Sequence, residues 1–122
     1  MTHRPLRKRE NTRQRLLDAA VEVFERKGLA GARIDDVVAT AGFTRGAFYS
    51  NYSSLAELLQ EALLYRTVCV LRDLREAIAA AEGPADVCTL VEIIDTLQPH
   101  GRTLYILSSE LALHRIRNPE SP

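Results

Sequence analysis

The chain has 122 residues, of which 46% are hydrophobic and 26% charged, and its formal charge is zero. That suits one soluble domain with a modest core. No window approaches the roughly 18 apolar residues of a membrane helix, and Arg13, Arg15 and Asp18 interrupt the stretch where a secretory signal would place its apolar run.

The zero charge hides an asymmetry. Residues 1–54 carry ten basic against six acidic side chains, a net +4, and residues 55–122 carry six against ten, a net −4. A basic front half draws polyanions, and an acidic rear half stays off them. Cys69 and Cys88 form no Cys-x-x-Cys pair, so a reducing cytoplasm is the simpler setting; both thiols are expected to be buried in helices, with redox sensing as the competing reading.

In chain order, "MTHRPLRKREN" is polar and basic and reads as a disordered arm. Helical periodicity starts near Thr12: Leu16, Leu17, Ala20, Val23 and Phe24 recur at steps of three and four, and Gly28 after Arg26 and Lys27 is a stop. "RIDDVVATAG" gives a short second helix with Ile34, Val37, Val38 and Ala41 on one face. Asp35 and Asp36 sit in its first turn, where the helix dipole favours acids, and Gly42 ends it. A third helix runs from Thr44 as N-cap to about Asn51. Ser54 and Glu57 form a Ser-x-x-Glu start signal for a long fourth helix reaching nearly to "EGP" at 82–84. A fifth helix, with Val87, Leu90, Val91, Ile94 and Leu97 inward, is expected to stop at Pro99. A sixth covers about Thr103 to Arg117, with Leu104, Leu107 and Leu111 inward. No alternating strand pattern occurs, so the fold class is all-α.

The stretch "AGFTRGAFYSNYSS" carries the chemistry. Two short helices joined by a tight, glycine-containing turn, here Ala41 to Thr44, make a helix-turn-helix. Phe43, Phe48 and Tyr52 are expected to pin the short third helix to the core, since a helix of about eight residues is marginal alone. Arg45, Gly46 and Ala47 are then left at its N-terminal tip, the part that enters a DNA major groove. Arg45 suits guanine O6 and N7, Gly46 lets the backbone approach base edges, and Ala47 suits a thymine methyl. Thr44, Tyr49 and Asn51 offer donors for phosphate oxygens, and Ser54 offers a helix start. Arg4, Arg7, Lys8 and Arg9 are candidates for a DNA-hugging arm, with a solvated tail as the competing reading.

From "LLDAAVEVFERKG" through "ATAG" to "TRGAFYSNYSS", residues 12–60 resemble the DNA-binding domain of the TetR (tetracycline-repressor-like) transcriptional regulators. The resemblance implies a homodimer on a palindromic DNA operator. It also implies a long fourth helix linking the DNA domain to a helical ligand-binding and dimerisation domain, and release, usually from repression, by a small-molecule effector. It divides the chain into a basic arm (1–11), a helix-turn-helix domain (12–54) and the start of the effector-binding and dimerisation domain (55–122), expected to continue in further helices. Tyr65, Cys69, Leu104 and Tyr105 are candidates for lining an effector pocket, with packing as the competing reading for both tyrosines.

Two positions depart from the family pattern. Arg33 stands where a threonine usually caps the second helix and touches phosphate. Losing such a cap costs about 1 kcal/mol, which Asp35 and Asp36 are placed to offset, while Arg33 still reaches phosphate by charge. Leu55 replaces a lysine at the foot of the fourth helix. Enzymatic readings find no foothold: there is no phosphate-cradling glycine loop and no nucleophile elbow. Asp35 and Asp36, as helix neighbours, point about 100° apart. His3, His100, His114 and Cys88 lack metal-ligand spacing, so neither metal nor cofactor is expected. The alternatives to a ligand-responsive repressor are a DNA-binding module without a sensor and a helical protein-interaction domain.

Overall fold

The structure, a computed structural model, describes residues 4–81, 83 and 86–120, with the side chains of residues 4–9 outside that description. Among the described residues all regular structure is helical: α1 (Arg4–Gly31), α2 (Ile34–Ala41), α3 (Arg45–Tyr49), α4 (Leu55–Ala80) and α5 (Val87–Arg117).

The first helix starts earlier than expected, at Arg4 rather than near Thr12. Pro5 falls in its first turn, where a missing N–H costs nothing. The arginines, Lys8, Glu10 and Gln14 that follow are all good helix formers. The expected stop at Gly28 is a break inside α1: Gly28 takes φ 71°, ψ 175°, and one further turn leads to Gly31. Gly42, at φ 79°, ends α2, and its N–H reaches back to the last carbonyls of the helix. Helix α3 ends at Tyr49, two residues before the expected boundary. The long α4 begins at Ser54, whose hydroxyl accepts the Glu57 N–H at 3.2 Å. The return half of this cap falls one residue early, because the Glu57 carboxylate takes the N–H and hydroxyl of Ser53. These bonds hold the Glu57 carboxyl below the usual carboxylate range.

The expected fifth and sixth helices are one. Helix α5 runs through Pro99 without stopping. An internal proline removes one backbone bond and costs about 3 kcal/mol in an isolated helix, so tertiary contacts must hold the continuation. They lie just beyond it: His100 Nε2 sits 3.0 Å from Asp73 Oδ2 on α4, and the Thr103 hydroxyl donates to Glu25 on α1.

Helices α1 to α3, the start of α4 and the C-terminal half of α5 share one core. Its fully buried members include Leu16, Val23, Phe24, Val37, Phe48, Leu58, Leu59 and Leu107. Leu111 is buried with them and Leu104 is half-buried. The outer part of the α4–α5 hairpin is different. Val87, Leu90, Val91 and Ile94, expected inward, are between 49% and 74% exposed. Leu64, Val68, Leu71 and Ile78 on α4 are exposed as well. Their helical spacing is correct, but within this chain two helices meet along a single seam and leave the other flanks uncovered. Among the described residues no helix is long and apolar enough to cross a membrane.

Candidate nucleic-acid interface

Five residues cannot hold a helix by themselves, and α3 is pinned from below. Phe48 is fully buried, with its ring 5.9 Å from that of Tyr52 and edge-on to Tyr49 at 5.4 Å. Tyr52 is 2% exposed and its hydroxyl has no hydrogen-bond partner among the described residues. Burial, with the nearby Glu61 charge, pushes its phenol up to about 12, against the opposing pull of Arg13. Arg13 lies over the Tyr52 ring at 5.3 Å and pairs with Glu61, tying α1 to α4.

A second arginine of α1 fixes the turn. Arg15 donates through Nη2 to the Ala41 carbonyl at 2.7 Å, and its guanidinium lies 4.5 Å from the centre of the half-buried Phe43 ring. It thereby satisfies a carbonyl left open at the end of α2 and clamps the residue between the two helices. The N-terminus of α2 is fixed by Asp36, whose Oδ2 accepts the Arg33 N–H at 2.9 Å while Oδ1 meets Lys27 Nζ at 3.1 Å. Lys27 first, and then the Arg33 N–H, hold the Asp36 carboxyl below its usual range. Asp36 thus supplies the reciprocal half of a capping box, closing the Arg33 N–H, while no side-chain oxygen at position 33 takes the place of the threonine cap.

What remains exposed is the tip. Thr44 caps α3 through its hydroxyl, which accepts the Ala47 N–H at 3.4 Å. Arg45, Gly46 and Tyr49 are exposed, and Ala47 is half-buried. A Cβ added at Gly46 would meet nothing nearer than Thr44 Oγ1 at 3.7 Å, so the fold itself does not demand glycine there. The Arg45 guanidinium pairs with Asp35 on α2 at 3.4 Å. Arg33 is exposed at the start of α2 on the neighbouring rim. Asn51 is turned inward: its amide donates to the Ala47 carbonyl at 2.9 Å, capping the end of α3. The Ser54 hydroxyl is engaged at the start of α4, so its free acceptor capacity and its neighbouring N–H groups are what it can offer an anion. The side chains of Arg4, Arg7, Lys8 and Arg9 lie outside the described residues.

The four candidate effector residues lie further along the hairpin. Tyr65 and Cys69 are half-buried, one turn apart on α4, and burial followed by the Cys69 thiol raises the Tyr65 phenol. Leu104 is half-buried on α5, and Tyr105 is 74% exposed. None of them lines the groove of about 410 Å³ between the break in α1, the start of α4 and the end of α5, whose walls include Leu29, Leu55, Glu110, Leu113, His114 and Arg117. Among the described residues no group of three or more His, Cys, Asp or Glu side chains is placed to hold a metal ion.

Sequence reading alone missed Arg15, Arg13 with Glu61, and Glu110. The last sits beside Gly28 and accepts the Leu29 N–H through Oε2 at 3.0 Å, closing the break in α1 from the far helix α5. Each joins residues at least 26 positions apart, and no local pattern marks such pairs.

Residues 16–62 match the family model described as bacterial regulatory proteins, tetR family. The chain is 46% identical over 57 residues to the HTH-type transcriptional regulator SrpR of Pseudomonas putida, covering 47% of this chain and 27% of that protein. It is 44% identical over 57 residues to the uncharacterized HTH-type transcriptional regulator TtgW of the same species, covering 47% of this chain and 42% of that one. Over 54 residues it is 41% identical to the HTH-type transcriptional repressor SCO4008 of Streptomyces coelicolor, covering 44% of this chain and 28% of the relative. The matched stretch therefore spans well under half the length of these relatives. No solved structure gave a significant match.

Proposed function

We propose that the protein is a transcriptional repressor of the bacterial TetR family, whose model residues 16–62 match. It binds a palindromic operator as a homodimer and is released by a small-molecule effector. The observation that carries this reading is the tip of α3: Arg45 and Gly46 stand exposed at the end of a helix that Phe48, Tyr52, Arg13 and Arg15 otherwise immobilise. Arg45 reads a guanine, while Gly46 and Ala47 let the helix enter the groove. Arg33, Thr44 and Tyr49 set the register on phosphates, with the start of α4 at Ser54 alongside. Asn51, with its amide committed to Ala47, positions α3 more than it contacts phosphate.

Two copies are needed because one headpiece reads one half-site, and half-sites lie about 34 Å apart. The exposed apolar flanks of α4 and α5 supply surface of the kind that dimers and further helices cover. Release by an effector in the region of Tyr65, Cys69, Leu104 and Tyr105 is supported by the way α5 is fastened. Leu107 and Leu111 belong to the core of the DNA domain, and Thr103 and Glu110 bond directly to α1. A displacement of α5 therefore reaches the platform that carries α3. As a DNA-bound regulator, the protein acts in the cytoplasm.

Selection from random duplexes followed by fluorescence-anisotropy titration tests the proposal. One sequence should be enriched, and its affinity should fall steeply with salt. Arg45→Ala should cost about 1–3 kcal/mol per half-site and relax the preference at one guanine. Unchanged affinity and preference in that variant would remove α3 from base reading.

A further inference from the structure

The pair between Asp35 and Arg45 is hard to explain by stability. Their side chains are 68% and 61% exposed, and pairs so open to water contribute little to a fold. It is equally hard to explain by affinity, because a carboxylate beside a DNA-reading tip repels phosphate. Asp35 makes no capping bond on α2 and adds there only its charge at the helix start, whereas the neighbouring Asp36 takes the Arg33 N–H and the Lys27 charge.

The atom through which the pair forms tells more. Asp35 Oδ1 lies 3.4 Å from Arg45 Nε. A guanidinium is a planar fork with five N–H donors, one on Nε and four on the two Nη atoms. An end-on contact to guanine O6 and N7 takes one N–H from each Nη, and so leaves Nε unused. The contact is a charge pairing and not a hydrogen bond, and on the Nε side it biases the side chain without occupying the edge that reads the base. An unrestrained arginine at this place swings to whichever phosphate is near, which adds affinity to every sequence and information about none.

We infer that Asp35 is a specificity-determining residue of the α3 tip: it holds the Arg45 guanidinium by Nε, presents the Nη edge to one guanine of each half-site, and disfavours the swing to phosphate. The inference rests on the reading of α3 as the base-contacting helix. Part of the ordering that recognition requires is then met before DNA arrives.

The test uses the full chain, the duplex enriched from a random pool, versions of it with the guanine replaced, and an unrelated duplex. Asp35→Asn should lower the preference for guanine roughly tenfold while binding the unrelated duplex roughly twofold more tightly, because one negative charge is gone. A merely structural role for Asp35 would weaken all duplexes alike. Asp35→Glu, which keeps the carboxylate, should retain most of the preference. In an Arg45→Ala background, Asp35→Asn should leave base preference unchanged, since nothing remains to be positioned. If Asp35→Asn preserves the guanine preference within about twofold, or reduces binding to every duplex in parallel, the inference is overturned and α3 still reads DNA. If the unsubstituted chain enriches no sequence, the reading of α3 fails and takes the inference with it.

Discussion

At the end of the α4–α5 hairpin nearest α3, Leu58, Leu59, Ala62, Leu107 and Leu111 are buried; at the far end, Leu71, Ile78, Val87, Leu90 and Ile94 are each more than half exposed. The two ends have similar apolar spacing. They differ in what stands opposite. The near end faces α1, which closes the third side, and polar ties from Thr103 and Glu110 fix α5 against it. Among the described residues the far end has only the partner helix across a single seam. Apolar periodicity thus reports that a helix has a face to bury, and says nothing of whether the covering element lies in the same stretch of chain.

The comparison is broken most forcefully from the near end. Phe48→Ala should cost about 3–5 kcal/mol and lower the urea midpoint accordingly, a large part of the stability of a domain this small. A variant that unfolds like the parent but no longer binds DNA would show Phe48 to be a contact residue instead. Gly28→Ala should cost about 1–2 kcal/mol. It puts a side chain on a residue at φ 71° and brings its Cβ to 2.7 Å from Glu110 Oε1, so the tie from α5 must shift. The same denaturation series, read with Glu110→Ala alongside, should give non-additive losses.

Tyr52 supplies a milder probe of the near end. Its phenol is raised from 10.0 to about 12 in the folded chain, so the neutral form is the one the fold favours. That contribution is complete below pH 10 and is lost as pH rises through 12. At pH 11 the loss should be about 1 kcal/mol after allowance for screening. Tyr52→Phe should flatten this alkaline decline without lowering stability at pH 7, because the hydroxyl it removes has no hydrogen-bond partner among the described residues.

The smallest effect belongs to the far end. Ile94→Ser should change the stability of the isolated chain by less than about 0.5 kcal/mol, as Ile94 is 62% exposed. A loss of 2 kcal/mol or more that grows with protein concentration would show that this face is covered in an assembly.

Local signals made α2, α3 and the start of α4 legible in advance. Gly42 ends α2 in the left-handed conformation, Thr44 and Ser54 cap the helices that follow them, and the burial of Phe48 and Tyr52 follows from their four-residue spacing. The illegible parts are those decided at a distance. Pro99 reads as a stop until the anchors at Asp73 and Glu25 are in place to carry α5 past it. The arm reads as disordered because its sequence offers no apolar face, although its composition favours helix. Arg15 looks like any exposed charge on an amphipathic helix, and only the fold brings it to the Ala41 carbonyl, 26 residues away. The pairing of Asp35 with Arg45 is of the same kind, since it depends on the angle at which α2 and α3 meet.

Pro99 leaves α5 continuous in shape and uneven in strength. Beyond the proline, amides are guarded by the shared core and by the ties to α1 and α4; before it, helical bonds stand beside exposed apolar side chains, and the proline supplies no bond to the carbonyl of Asp95. Local opening therefore takes less free energy on the N-terminal side, so in amide hydrogen exchange residues 87–98 should lose protection well before residues 103–111. The outer half of α5 can then fray and re-form against whatever covers it while the half next to α1 stays closed, so disorder at the outer end does not spread by itself to α3.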